Sequence, residues 1–308
     1  MMVYKRIIGI DIGGTNFRIG AVCEDGTVDL FRKIPVGEVF HTNDGLDDLA
    51  NYLTGNYFPE LRKTGITPCA VSIGFPATLD RQRSVVLQAP NIPFMENLPV
   101  KDGLSRILGI PVVIENDVNM ALCYDRAKYR IPKCEVLIGC YFGTGIGSAL
   151  QVYGHILTGK SGSAGELGHI PVDGSEERCG CGNTGCMENL AGGKYLAKLC
   201  KEVYTDTYIG DLFEKHGTEP LLLQFVDRMA IAVATEINIL DPDYLLIGGG
   251  VVNMKGFPRE YLMQQIQEHA RKPFPAECLK DTVIFTDDEE DKCIIGAARF
   301  AADLLRKL

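Results

Sequence analysis

Residues able to do chemistry gather between His169 and Glu188, in the run H-I-P-V-D-G-S-E-E-R-C-G-C-G-N-T-G-C-M-E. One histidine and three cysteines stand there at H-x9-C-x-C-x4-C. Four ligands of this kind, His169, Cys179, Cys181 and Cys186, satisfy a tetrahedral Zn²⁺ and leave no open position for a catalytic water, so the ion would be structural. Gly180, Gly182 and Gly185 would let the short loop fold back on it. The C-x-C spacing is tighter than that of a DNA-binding finger, and the plainer alternative is a cysteine-rich surface loop with His169 as a cap. Glu166 and Glu188 flank the loop. Two carboxylates beside a metal-pinned loop suit several vicinal hydroxyls, as on a sugar, and a histidine bound to zinc through one ring nitrogen donates from the other.

A second candidate is Asp117, in E-N-D-V-N at the carboxyl end of an apolar strand and just ahead of a helical pattern. Ligands of open α/β sheets collect at that edge. A carboxylate there could take the proton of a substrate hydroxyl as its oxygen attacks phosphorus; equally, Asp117 could simply cap the helix. Asn116 offers a donor and an acceptor to a hydroxyl.

Three glycine turns complete the set. Asp11-Ile12-Gly13-Gly14-Thr15 leads into a strand rather than a helix and lacks G-K-[ST], so neither a Rossmann nor a Walker loop fits. A glycine hairpin instead offers backbone N–H groups and the Thr15 hydroxyl to phosphate oxygens, with Asp11 facing the metal that travels with a nucleotide. Phe142-Gly143-Thr144-Gly145-Ile146-Gly147 echoes it, and two such hairpins could clamp a polyphosphate. Gly248, Gly249 and Gly250 follow another apolar strand and would let an adenine or ribose lie close to the backbone; a strand-to-helix turn explains them equally well.

These residues need elements to hold them. Residues 3–34 read as three strands, with Asp25-Gly26 as a hairpin signal. A helix follows near Asp44, then a strand at Cys69–Gly74, a Pro- and Asn-rich loop over 75–98, a helix near 101–108 and the strand P-V-V-I-E. From Val136 the strand, glycine turn, strand pattern begins again, followed by a long amphipathic helix (Leu222–Leu240) and the buried strand Y-L-L-I-G-G-G-V. The alanine-rich final helix is expected to return to the first domain. The repetition suggests two similar α/β halves facing each other across a cleft. The chain has 308 residues, 46% of them hydrophobic and 23% charged, with a formal net charge of −9, which disfavours duplex nucleic acid as a partner. Met1 to Lys5 runs straight into a strand, no run of about 18 apolar residues could cross a bilayer, and eight of the eleven cysteines are scattered among apolar neighbours. These three features lead us to expect a cytoplasmic protein without disulfides.

Taken together, D-I-G-G-T-N, E-N-D-V-N, F-G-T-G-I-G, G-E-L-G-H, C-G-C-G-N-T-G-C-M-E and L-I-G-G-G-V resemble, in order and over nearly the whole chain, the ROK sugar kinases. The resemblance implies an actin-like ATPase (ribonuclease H-like) α/β fold, with one domain over 1–117 plus 292–308 and another over 118–291. It also implies ATP and Mg²⁺ as cofactors, phosphorylation of a hexose at its 6-hydroxyl and a homodimer. Asp117 is then the general base. Asn91, Asn116, Glu166, His169 and Glu188 are sugar ligands, and Gly13, Gly14, Thr15, Gly143, Thr144 and Gly145 hold phosphate. G-F-P-A at 74–77, P-N-I-P at 90–93 and G-G-G-V-V-N-M-K-G-F-P-R-E at 248–260 are similar to the D-allose kinase subgroup; Ala77 departs from the G-x-P-G of most members. Glucose or N-acetylmannosamine is the alternative acceptor. A sugar-responsive repressor of the same family would carry a helix-turn-helix ahead of the first glycine turn, for which residue 11 leaves no room.

Overall fold

The computed structural model describes residues 4–172, 174–272 and 276–306. Val3, where the first strand is expected to begin, and the side chain of Cys278 lie outside them. The chain divides into two compact units, Met1–Arg130 with Thr158–Ala164 and Glu289–Leu308, and Ile131–Leu157 with Gly165–Asp288.

In the first unit β1 (Tyr4–Ile12), β2 (Asn16–Val22), β3 (Val28–Pro35), β4 (Ile66–Phe75) and β7 (Val112–Asn116) form a sheet in the order β3-β2-β1-β4-β7. The first three strands are antiparallel hairpins, while β4 and β7 run parallel to β1. β5 (Thr78–Leu79) and β6 (Val86–Gln88) make a small separate hairpin in the loop after β4. Ile8, Ile10, Ile12, Val71 and Ile73 share one face of the sheet and are fully buried.

The final helix (Lys292–Leu305) packs on β1 and on the helix Asp117–Lys128. Its approach is close. A methyl on Gly9 would overlap the Ile294 carbonyl, and one on Gly296 would overlap the Met120 carbonyl. Lys292 Nζ lies 2.6 Å from the buried Asp125 Oδ2. This packing keeps the helix Asp117–Lys128 with the first unit. The domain break expected after Asp117 therefore falls after Arg130, and Thr158–Ala164 joins the first unit although its flanks belong to the second.

The second unit repeats the plan. β8 (Val136–Phe142), β9 (Ile146–Val152), β10 (His155–Ile156), β11 (Tyr244–Gly248) and β12 (Val283–Phe285) follow the order β10-β9-β8-β11-β12. Again two antiparallel neighbours sit on one side of the first strand, and two parallel ones on the other. The helix Pro220–Leu240 starts with proline, whose missing N–H costs nothing in the first turn, and it buries Leu222, Phe225, Val226, Met229, Val233 and Ile237. Among the described residues no helix is long and apolar enough to cross a membrane.

Candidate functional site

In the first unit, the turn between β1 and β2 is closed by Gly13 N–H donating to the Asn16 carbonyl at 2.9 Å, which leaves Gly14 and Thr15 exposed. Asp11 is buried and lies across the hairpin from Arg18, whose Nη1 donates to Oδ2 at 2.8 Å. Burial pushes the Asp11 carboxyl above its ordinary pKa, against the pull of Arg18. Arg18 went unnoticed in the sequence, although hairpin register alone sets it opposite Asp11. Gly14 abuts Asn91: a Cβ on the glycine would meet the Asn91 carbonyl at 3.1 Å, so the expected hydroxyl ligand and the first glycine turn are brought together.

At the end of β7 the cap is Asn116. Its Oδ1 accepts from Val118 N–H at 3.0 Å and its Nδ2 donates to the Ala77 carbonyl at 3.3 Å. Asp117 is the first residue of the helix, half-buried, with Oδ1 2.9 Å from Val118 N. The capping alternative for Asp117 therefore passes to its neighbour, and the carboxylate stands at the strand edge where α/β ligands collect. Beneath this corner lies an ion pair absent from the sequence reading. Glu115 is 1% exposed and meets Arg83 Nε, while its Oε1 also accepts from Asn119 Nδ2 at 3.0 Å and from Asn116 N–H at 2.9 Å. A buried carboxylate in E-N-D calls for a cation, which was the available signal.

In the second unit, the β8–β9 turn is closed by Gly143 N–H donating to the Gly145 carbonyl at 3.0 Å. Its outward carbonyls, of Gly143 and Thr144, accept from Gly193 and Lys194 at the start of the helix Gly193–Glu202. Glu188 braces the same turn: its Oε2 accepts from Ile146 N–H at 3.1 Å and occupies the space a side chain at 145 would need. The turn and Glu188, read separately in the sequence, are one structure.

His169, Cys179, Cys181 and Cys186 come together with their ligand atoms all within 4.8 Å of one another. Cys179 Sγ lies 3.6 Å from His169 Nδ1, and Cys181 Sγ lies 3.7 Å from Cys186 Sγ. Tetrahedral Zn²⁺ with arms of roughly 2.3 Å to sulfur and about 2.0 Å to nitrogen has edges of about 3.5 to 3.8 Å, so the donor set fits such an ion. Burial and the neighbouring thiols push Cys186 up to about 12, a cost that a divalent cation would remove. Gly182 and Gly185 adopt positive φ (97° and 75°) in folding the loop back, whereas Gly180 does not. His169 turns its other nitrogen, Nε2, towards Glu166 Oε2 at 3.6 Å. Desolvation raises the Glu166 carboxyl, His169 opposes that, and Glu188 adds to it.

The third glycine run is explained in large part by packing. Gly249 has φ of 95° and lies against the Phe142 carbonyl; a side chain on Gly248 would overlap the Thr286 hydroxyl. The chain then turns towards the helix Arg259–His269. Only Gly250 faces open space, with Asp288 Oδ2 at 3.7 Å from where a Cβ would stand.

A family model described as ROK family matches residues 7–304. A glucokinase of Thermotoga maritima is 27% identical over 95% of this chain and 96% of its own length. A glucokinase of Streptomyces coelicolor is 34% identical over 79% of this chain and 81% of its own. The crystal structure of a ROK family glucokinase from Streptomyces griseus, in complex with glucose and AMPPNP, superposes with a TM-score of 0.75 at 24% identity, covering 98% of this chain and 100% of that one.

Proposed function

The chain belongs to the ROK family and is an ATP-dependent sugar kinase, and we propose that it phosphorylates the 6-hydroxyl of a hexose with Asp117 as general base. The observation that carries this reading is the corner at the end of β7. There Asn116 takes over the capping and a carboxylate begins the helix at the edge of a parallel sheet.

In this reading the hydroxyl proton passes to Asp117 as the sugar oxygen attacks the γ-phosphorus, and the bond from that phosphorus to the bridging oxygen of ADP breaks. The turns at Gly13–Thr15 and Gly143–Gly145 offer backbone N–H groups and hydroxyls to phosphate oxygens, and Gly250 the open backbone for the nucleoside. Mg²⁺ accompanying ATP would neutralise charge on the phosphates. Asp11, with Oδ2 engaged by Arg18, is the carboxylate suited to hold it through its other oxygen or a water. Asn91, Asn116, Glu166, His169 and Glu188 form the hydroxyl-binding set. Zn²⁺ held by His169, Cys179, Cys181 and Cys186 would fix the His169 ring so that its Nε2 faces the sugar side, in a structural rather than catalytic role.

For the acceptor we favour D-allose, supported by the resemblance of G-F-P-A, with Ala77 in place of the usual glycine, of P-N-I-P and of the stretch 248–260 to that subgroup. Glucose is the second reading, favoured by the glucokinase relatives. A coupled ADP-release assay across allose, glucose, mannose, N-acetylmannosamine and fructose decides. Allose should give the highest kcat/KM, and glucose ahead of it would transfer the assignment to glucose.

A further inference from the structure

Arg83 belongs to the turn after β5, and it adopts φ of 52°, a conformation that arginine rarely takes without compensation. Its side chain is 14% exposed. Nε lies 2.9 and 3.1 Å from the two oxygens of Glu115, while Nη1 donates to the carbonyls of Leu79, Asp80 and Gly162 at 3.4, 3.4 and 3.1 Å. One guanidinium therefore engages two things. Through Glu115 Oε1, which also accepts from the Asn116 N–H, it holds the corner carrying Asp117. Through the Gly162 carbonyl it holds Thr158–Ala164, the strap that lies in the first unit between two stretches of the second.

The strap is seated closely. A methyl on Gly162 would overlap the Leu79 carbonyl, and φ there is 88°. Only Ser163, Ala164 and Gly165 separate that seat from Glu166. Gly165, the first residue of the second unit, is itself pressed on the Ser148 carbonyl, at 2.7 Å from where a Cβ would stand. The peptide leading to Glu166 is thus held closely at Gly162 and again at Gly165.

The geometry points to Arg83 as a positioning residue that sets the Asp117 corner and anchors the strap leading, four residues after Gly162, to Glu166, by a single fork of hydrogen bonds. The inference rests on the reading of Asp117 as base and Glu166 as hydroxyl ligand. A planar guanidinium suits the task because its donors diverge at fixed angles; an ammonium supplies the charge without the fork.

Steady-state kinetics on the full chain test it, with ATP and the best hexose, using Arg83→Gln, Arg83→Lys, Gly162→Ala and Asp117→Asn, alongside thermal melting. A misplacement of about 1 Å costs on the order of a hundredfold in rate. We therefore expect Arg83→Gln to lower kcat by about tenfold or more and to raise the hexose KM, with the ATP KM held within about twofold. Arg83→Lys keeps a charge against Glu115 and should recover much of kcat while the hexose KM stays raised. Constants for Arg83→Gln that remain near the parent overturn the assignment. So does a uniform fall that follows the folded fraction, which is what a plain brace gives. Should Arg83→Gln fail to fold, Gly162→Ala decides, and an unchanged hexose KM there sinks the proposal. Near-normal turnover by Asp117→Asn refutes the base reading, whereas a slow Asp117→Asn beside an unaffected Arg83→Gln refutes only the positioning role.

Discussion

Replacing Asp117 by asparagine removes a proton acceptor while keeping a side chain of the same shape. The helix Asp117–Lys128 keeps its cap, because Asn116 Oδ1 receives the Val118 N–H. An amide oxygen at 117 still accepts from that N–H, as Asp117 Oδ1 does at 2.9 Å. Gly74, whose nearest neighbours include the Asp117 Cα, sees no change in backbone. The fold should therefore survive with a melting temperature close to the parent's. Loss of a positioned general base costs about 10² to 10⁴ in rate, which corresponds to roughly 2.7 to 5.5 kcal/mol of barrier. ATP affinity should be nearly untouched, since no part of the phosphate turns is altered. Single-turnover and steady-state kinetics, with ATP and hexose varied separately, measure each quantity. A kcat within a few-fold of the parent would refute the reasoning. A large rise in the ATP KM would show instead that the carboxylate acts through the nucleotide.

Two further outcomes follow from the geometry. Purified protein should contain one zinc per chain by elemental analysis. Cys186→Ser should lose it and raise the hexose KM by roughly tenfold through the freed His169 ring, and metal-free protein with full hexose affinity would break that link. Acid should destabilise the first unit through Asp48 and Asp80. Burial alone would raise Asp48, but N–H groups of Thr42 and His41 and the Thr42 hydroxyl outweigh it and hold it below its ordinary pKa. N–H groups of Val85 and Ser84 likewise outweigh burial at Asp80. A depressed folded pKa contributes stability that is fully present above the unfolded value of about 3.9 and disappears as pH falls through the folded value. Urea midpoints of Asp48→Asn and Asp80→Asn should therefore fall less steeply than the parent's below about pH 4, and parallel curves would contradict the assignment.

Much of the fold was legible because its signals are local. Apolar strands closed by glycine turns gave both hairpins, and helical spacing gave the long helix Pro220–Leu240 and the final Lys292–Leu305. The cysteine and histidine spacing foretold a cluster that the fold does assemble. What escaped the sequence depends on residues far apart in the chain. Glu115 meets Arg83 through a turn with no periodicity, and Glu188 supports Ile146 across a long loop. The domain break was misjudged for a similar reason: the helix Asp117–Lys128 is held by Lys292 and Gly296, whose partners no local pattern names. Gly248 and Gly249 show the converse, since a motif that suggested a ligand is largely accounted for by neighbouring backbone and Thr286.

The closeness of the final helix to β1 bears on how the protein is made. Ile294 leaves the ribosome 285 residues after Gly9, yet its carbonyl occupies the space above that glycine. The sheet of the first unit must wait, with one face uncovered, until Lys292–Leu305 has been synthesised, whereas β8 to β12 and their helices emerge as an almost uninterrupted stretch. Contacts spanning so much chain form slowly. A chain stopped before Lys292 should therefore leave that face bare and yield an aggregation-prone product rather than a weakened enzyme.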